Sequence, residues 1–142
     1  MNRSKIKICG IKDINILKCC IKNKVDYFGL IFYKKSVRNI EINDAKKITN
    51  FSYSQPISSV GVFVDEPIDN IKKILKEIKL DFIQLHGTEN EDYIYQIKKD
   101  FAIKVIKTSH IGNKSDFINS KKPTNADMFL FDYKPKNNEL PG

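Results

Sequence analysis

The sequence predicts an α/β fold in which a parallel sheet is covered by helices, either doubly wound or closed as a barrel. Short β-rich runs alternate with helical patterns from one end of the chain to the other. The runs are nearly continuous in apolar residues, as in strands buried on both faces. The chain also has the material for one domain: 142 residues, 41% hydrophobic, with nine Phe and six Tyr.

Taken in order, KIKICGI at 5–11 reads as the first strand and is followed by a helix that Asp13 caps, with Ile14, Leu17, Ile21 and Val25 on one face. YFGLIF at 27–32 is the second strand, and Asp44 is the expected cap of a second, shorter helix. ISSVGVFV at 57–64 is the third. In PIDNIKKILKEIK after it, Pro67 suits a first-turn position, and Ile71, Ile74, Leu75 and Ile78 form an apolar stripe. DFIQLH at 81–86 precedes ENEDYIYQIKKD, a helix with acidic residues early and lysines late, as the macrodipole prefers. FAIKVIK at 101–107, a weaker helix KSDFINSKK, and a sixth strand DMFLFD at 127–132 complete the series. The tail KPKNNELPG is loop-like.

Each β-α unit takes about 24 residues, so eight would need about 195, near the lower limit of a (β/α)8 barrel. Six strands and five connecting helices are expected here. No apolar run is long enough to span a bilayer, and MNRSKIKICG has no signal-peptide pattern, so a soluble cytoplasmic protein is expected. Three cysteines, with Cys19 and Cys20 adjacent, suit neither a disulfide framework nor a metal-binding spacing. The formal charge of +8 is spread along the chain with no nucleic-acid motif beside it, which favours a solvated lysine surface over a polyanion-binding module.

Five motifs stand in a recognisable order: KICGI, FGLIF followed by KKSVRNI, VGVFVDE, IQLHG and LFDYKP. Together they resemble phosphoribosylanthranilate isomerase, a (β/α)8-barrel enzyme of tryptophan biosynthesis. The resemblance covers essentially the whole of 1–142 and implies a single barrel domain that lacks the last two units, truncated after the sixth. It implies an Amadori rearrangement of N-(5-phosphoribosyl)anthranilate to 1-(2-carboxyphenylamino)-1-deoxyribulose 5-phosphate, with no metal or organic cofactor. The expected partner is that small phosphosugar-anthranilate substrate, with no specific nucleic acid and no membrane.

In the resemblance Cys9 is the general base and Asp132 the general acid. Both fall where an apolar strand gives way to loop, the position of functional groups in parallel barrels. A cysteine is a base only as thiolate, so positive potential or dipoles are expected around Cys9. Asp132 must instead carry its proton, which needs desolvation or a neighbouring anion. Arg38 matches the residue expected to hold the anthranilate carboxylate, a task that suits a guanidinium. Gln84 and His86 match site-lining positions with no proton transfer assigned. Asp65 is expected to cap the next helix, and Cys19 and Cys20 receive no role.

Pro141-Gly142 look like the approach to a Gly-rich loop of the GGTG kind, and the phosphate is commonly bound by loops after the seventh and eighth strands. A polypeptide of these residues alone is therefore expected to be weakly active or inactive, and to self-associate or need a complementing C-terminal segment. A related histidine-pathway isomerase is the alternative within phosphosugar barrels. It typically carries aspartate where Cys9 stands, and QLHG is not its pattern.

Overall fold

The structure, a computed structural model, describes residues 3–120 and 125–134. The tail at 135–142 and the last two residues expected of the fifth helix lie outside them.

Among the described residues there are six strands: β1 (Lys7–Cys9), β2 (Tyr27–Ile31), β3 (Ser58–Phe63), β4 (Phe82–Leu85), β5 (Lys104–Ile111) and β6 (Met128–Tyr133). Five helices connect them: α1 (Ile14–Lys22), α2 (Ile42–Ser52), α3 (Ile68–Glu77), α4 (Glu91–Phe101) and α5 (Lys114–Asn119). All five pairings are parallel, and the strands lie side by side in chain order, β1 to β6. That order decides between the two predicted architectures. A doubly wound sheet reverses direction at a switch point, whereas a (β/α)8 barrel adds each strand on the same side of the last. The fold is of the barrel type, with six strands.

Strand alternation separates two apolar layers. Phe28, Leu30, Ile83, Leu85 and Val105 point outward and pack against Leu17, Ile48, Ile71, Ile94 and Ile97 of the helices. Ile31, Val60, Val62, Phe82 and Ile106 point inward and fill the concave face, with Cys9 and Leu130 packed against them. The inward layer thins toward the C-terminal ends of the strands, where polar side chains take over.

The first helix begins as predicted, the Asp13 carboxylate accepting from the Asn15 and Ile16 amides. The fourth begins at Glu91, and Asn90, expected inside it, caps it by accepting from the Tyr93 amide. Leu17 is buried and Ile21 packs beside it. Three local expectations are corrected. The second helix begins at Ile42, so Asp44 lies inside its first turn and pairs with Lys47 rather than capping. Asp65 does not cap α3. It bends into the left-handed region at φ 47° and accepts from the Thr88 amide and hydroxyl across the sheet. The fifth strand runs over Lys104–Ile111, not 101–107. Phe101 ends α4, Ala102 turns left-handed as its cap, and pairing with β6 carries the polar run Thr108-Ser109-His110 into the sheet. Among the described residues no helix is long and apolar enough to cross a membrane.

Candidate active site

Cys9 ends β1 and its side chain lies on the concave face. The strand stops there because Gly10 takes φ +86°, a conformation that suits glycine, while the Gly10 and Ile11 amides both donate to the Gly29 carbonyl. Gly29 is the partner of Cys9 across the ladder, and its missing side chain makes room. A methyl group on Gly29 would stand 2.6 Å from the Cys9 Sγ and 3.1 Å from the Lys7 Nζ. The thiol and the ammonium therefore converge above the same glycine, and Lys7 supplies the positive potential expected near Cys9. Lys7 itself was not singled out by the sequence, where one lysine looks like any other.

Arg38 comes from the loop between β2 and α2 and reaches back to the end of β1. Its Nη1 donates to the Cys9 carbonyl oxygen at 3.3 Å, and its aliphatic stem crosses Gly10, where a Cβ would meet Cδ at 2.6 Å. Gly10 is thus needed twice, for its backbone conformation and to let Arg38 lie beside Cys9.

On the other side of the concave face, Gln84 and His86 rise from β4, Thr108 and His110 from β5, and Asp132 from β6. Gln84 Nε2 donates to Thr108 Oγ1 at 3.2 Å and lies 3.0 Å from His86 Nδ1. His86 Nε2 lies 3.2 Å from Asp132 Oδ2. His110 is the ladder partner of Asp132 and stacks edge-on against His86, with ring centroids 5.0 Å apart. Burial lowers the His86 pKa from its ordinary value and the neighbouring His110, Lys7 and Lys107 reinforce this, while Asp132 opposes it. Asp132 also accepts from the Tyr133 amide at 2.8 Å.

Residues 6–139 match the family of N-(5'-phosphoribosyl)anthranilate (PRA) isomerase. The chain belongs to that family. Curated relatives of that name include one from Paramagnetospirillum magneticum, 33% identical over 97% of this chain and 65% of its own length. Another, from Clostridium acetobutylicum, is 37% identical over 90% of this chain and 60% of its own. The crystal structure of phosphoribosyl anthranilate isomerase from Thermotoga maritima superposes with a TM-score of 0.85 at 29% identity, over 94% of this chain and 63% of that one. A PRA isomerase structure in complex with reduced 1-(o-carboxyphenylamino)-1-deoxyribulose 5-phosphate matches with a TM-score of 0.80 at 30% identity. The chain spans somewhat less than two thirds of the length of these curated relatives.

In this chain of the PRA isomerase family, the fold brings all five expected site residues toward the C-terminal end of the sheet. Arg38 and Cys9 form one group, and Gln84, His86 and Asp132 another. Lys7 and His110 join them unannounced. His110 was missed because the fifth strand was expected to end at 107. Extending the inward alternation from Ile106 through Thr108 would have found it.

Below the rim, a buried ion pair braces the loops. Lys107 Nζ contacts Glu89 Oε2 and the Gly87 carbonyl oxygen, both at 2.8 Å, and Glu89 Oε1 accepts from the Asp65 amide. Gly87, the glycine of QLHG, leaves room for the Asp65 carboxylate, which a Cβ there would strike. Cys19 is exposed and Cys20 buried in the core. Burial, with Cys19 beside it, pushes the Cys20 thiol up; both cysteines sit on α1, outside the concave face.

Proposed function

We propose that the protein catalyses the Amadori rearrangement of N-(5'-phosphoribosyl)anthranilate in the cytoplasm, with Cys9 as general base and Asp132 as general acid. The observation that carries this is the placing of Cys9 beside Lys7 and of Asp132 beside His86, on the concave face at the C-terminal strand ends of a PRA isomerase chain. Such ends are where parallel barrels carry their chemistry.

In this reading the Asp132 carboxyl gives its proton to the furanose ring oxygen. The bond from that oxygen to C1′ breaks as the anilino nitrogen lone pair forms a C=N bond. The Cys9 thiolate then takes the C2′ proton, leaving an enolamine that tautomerises to the ketose product. Lys7 keeps a positive charge where the thiolate stands. Arg38, held against the Cys9 carbonyl, faces the substrate carboxylate with two parallel N–H donors. Asp132 is 45% exposed at the rim, so the desolvation that favours its protonated form comes from the substrate closing over it. Gln84 and His86 line the site and orient Asp132.

The family's phosphate-binding loops follow residue 142 in this reading, so a polypeptide of 1–142 alone turns over weakly or not at all, and a complementing C-terminal segment restores it. The test uses a chain that carries the full barrel. Cys9→Ala and Asp132→Asn are each expected to lower kcat by about 10²–10⁴ with the fold intact. Retention of turnover by Cys9→Ala removes the assignment of the base.

A further inference from the structure

We propose that His86, His110 and Asp132 form a binding site for a divalent transition metal such as zinc at the rim of the concave face. The three side chains come from three adjacent parallel strands, and their donor atoms all lie within 4.8 Å of one another. One pair, His86 Nε2 and Asp132 Oδ2, already stands 3.2 Å apart. Two ligand atoms on a tetrahedron with bonds of 2.0–2.1 Å are separated by about 3.3 Å. The His110 donor must close from within 4.8 Å toward that separation, a side-chain movement made short by its ladder partner being Asp132 and its ring abutting His86. Two imidazoles and one carboxylate suit zinc, nickel, copper or iron(II) better than calcium or magnesium, which prefer all-oxygen shells.

Gln84 provides an independent observation. It is 2% exposed, and its Oε1 is buried with no hydrogen-bond partner among the described residues. Turned over, the amide would place Oε1 against His86 Nδ1 and its own Nε2 where the oxygen has no partner; Oε1 would then accept a hydrogen from Nδ1 and fix the imidazole tautomer whose Nε2 lone pair faces Asp132. Nε2 and Oδ2 would then be two acceptors 3.2 Å apart, an arrangement that a cation between them reconciles. A hydrogen bond to the second nitrogen is the usual support of a histidine ligand. His86 and Asp132 side chains are 25% and 45% exposed, which leaves a path for the ion. Lys7 opposes the site electrostatically, while the charge of Lys107 is matched by Glu89. A metal here takes the Asp132 oxygen needed for proton transfer, so it inhibits isomerisation; that consequence rests on the function proposed above, whereas binding itself does not.

The experiment is titration of the full-length protein with Co²⁺, read by visible absorption, with Zn²⁺ as competitor. The expected result is saturable one-to-one binding, a spectrum of nitrogen and oxygen ligands without a thiolate charge-transfer band, and weakening of about tenfold or more in both His110→Ala and His86→Asn. Thermal unfolding of each variant in the absence of metal separates lost ligands from a lost fold. Non-saturating binding, binding of normal strength in a folded His110→Ala protein, or binding that disappears in Cys9→Ser overturns the site. Because no turnover is needed, a protein that binds cobalt at these residues and fails to isomerise refutes the function and leaves the metal site standing.

Discussion

The ammonium of Lys107 and the carboxylate of Glu89 meet 2.8 Å apart, with side chains only 9% and 1% exposed. They tie the fifth strand to the loop after the fourth, and Glu89 also accepts from the Asp65 and Gly87 amides. Removing one partner leaves the other charged and dry, which costs about 3–5 kcal/mol. Glu89→Ala is therefore expected to lower the urea midpoint strongly. The double variant Glu89→Leu, Lys107→Met should recover part of that loss. Equal destabilisation by single and double variants would show that shape, not charge, dominates there.

Gly29 separates catalysis from folding. Alanine at this position presses hardest on the Cys9 thiol at 2.6 Å, then on the Lys7 ammonium at 3.1 Å and the Cys9 Cα at 3.2 Å, so most of the strain falls on side chains that can shift. The expected stability change is no more than about 1–2 kcal/mol, in the lower part of the range for added core volume. If Cys9 is the base proposed above, displacing its thiol by a fraction of an ångström is expected to lower kcat about 10- to 100-fold in the full barrel. Steady-state kinetics beside a denaturant melt checks both halves.

Arg38→Lys keeps the charge and loses the fork. Lysine is a point charge and cannot give a carboxylate two parallel N–H bonds. The expected outcome is a KM raised about tenfold or more, with a smaller change in kcat. An unchanged KM would place the substrate carboxylate elsewhere.

Asp26 governs part of the acid limb. The Ile6 amide is the main cause that holds its pKa below the ordinary 3.8, and the paired bonds from Arg3 add to it while slight burial opposes them. The unfolded chain thus binds this proton more tightly than the native one. The stabilisation is fully present above the ordinary value and is lost as pH falls through the lowered native value. Asp26→Asn is expected to flatten the pH dependence of the melting temperature below about pH 4 and to leave its slope near neutrality unchanged.

The edges of the sheet set the behaviour of the 142-residue polypeptide by itself. Among the described strands β1 and β6 have one neighbour each, and Ile6, Ile8, Phe129 and Phe131 are exposed on or beside them. Unpaired apolar edges associate. Sedimentation velocity is expected to show association that grows with concentration. A clean monomer with a sharp, cooperative melt would contradict this.

Much of this protein was legible in the sequence because strand and helix periods are local properties. The apolar runs placed six strands, Asp13 and the acidic start of α4 marked helix beginnings, and Gly10 after Cys9 marked a strand end. The ordered motifs KICG and QLHG pointed to the family. Tertiary structure alone decided which side chains meet. Lateral pairing in a parallel sheet joins residues twenty or more positions apart, and it set His86, His110 and Asp132 side by side; the same stacking of strands and loops buried Lys107 against Glu89. Pairing with β6 likewise drew Thr108-Ser109-His110, polar enough to resemble a loop, into the fifth strand. Asp65 could cap its own helix by local rules, yet the amide and hydroxyl of Thr88 compete for it across the sheet and win. A period tells a residue which face it occupies. Only register between strands tells it which neighbour it has.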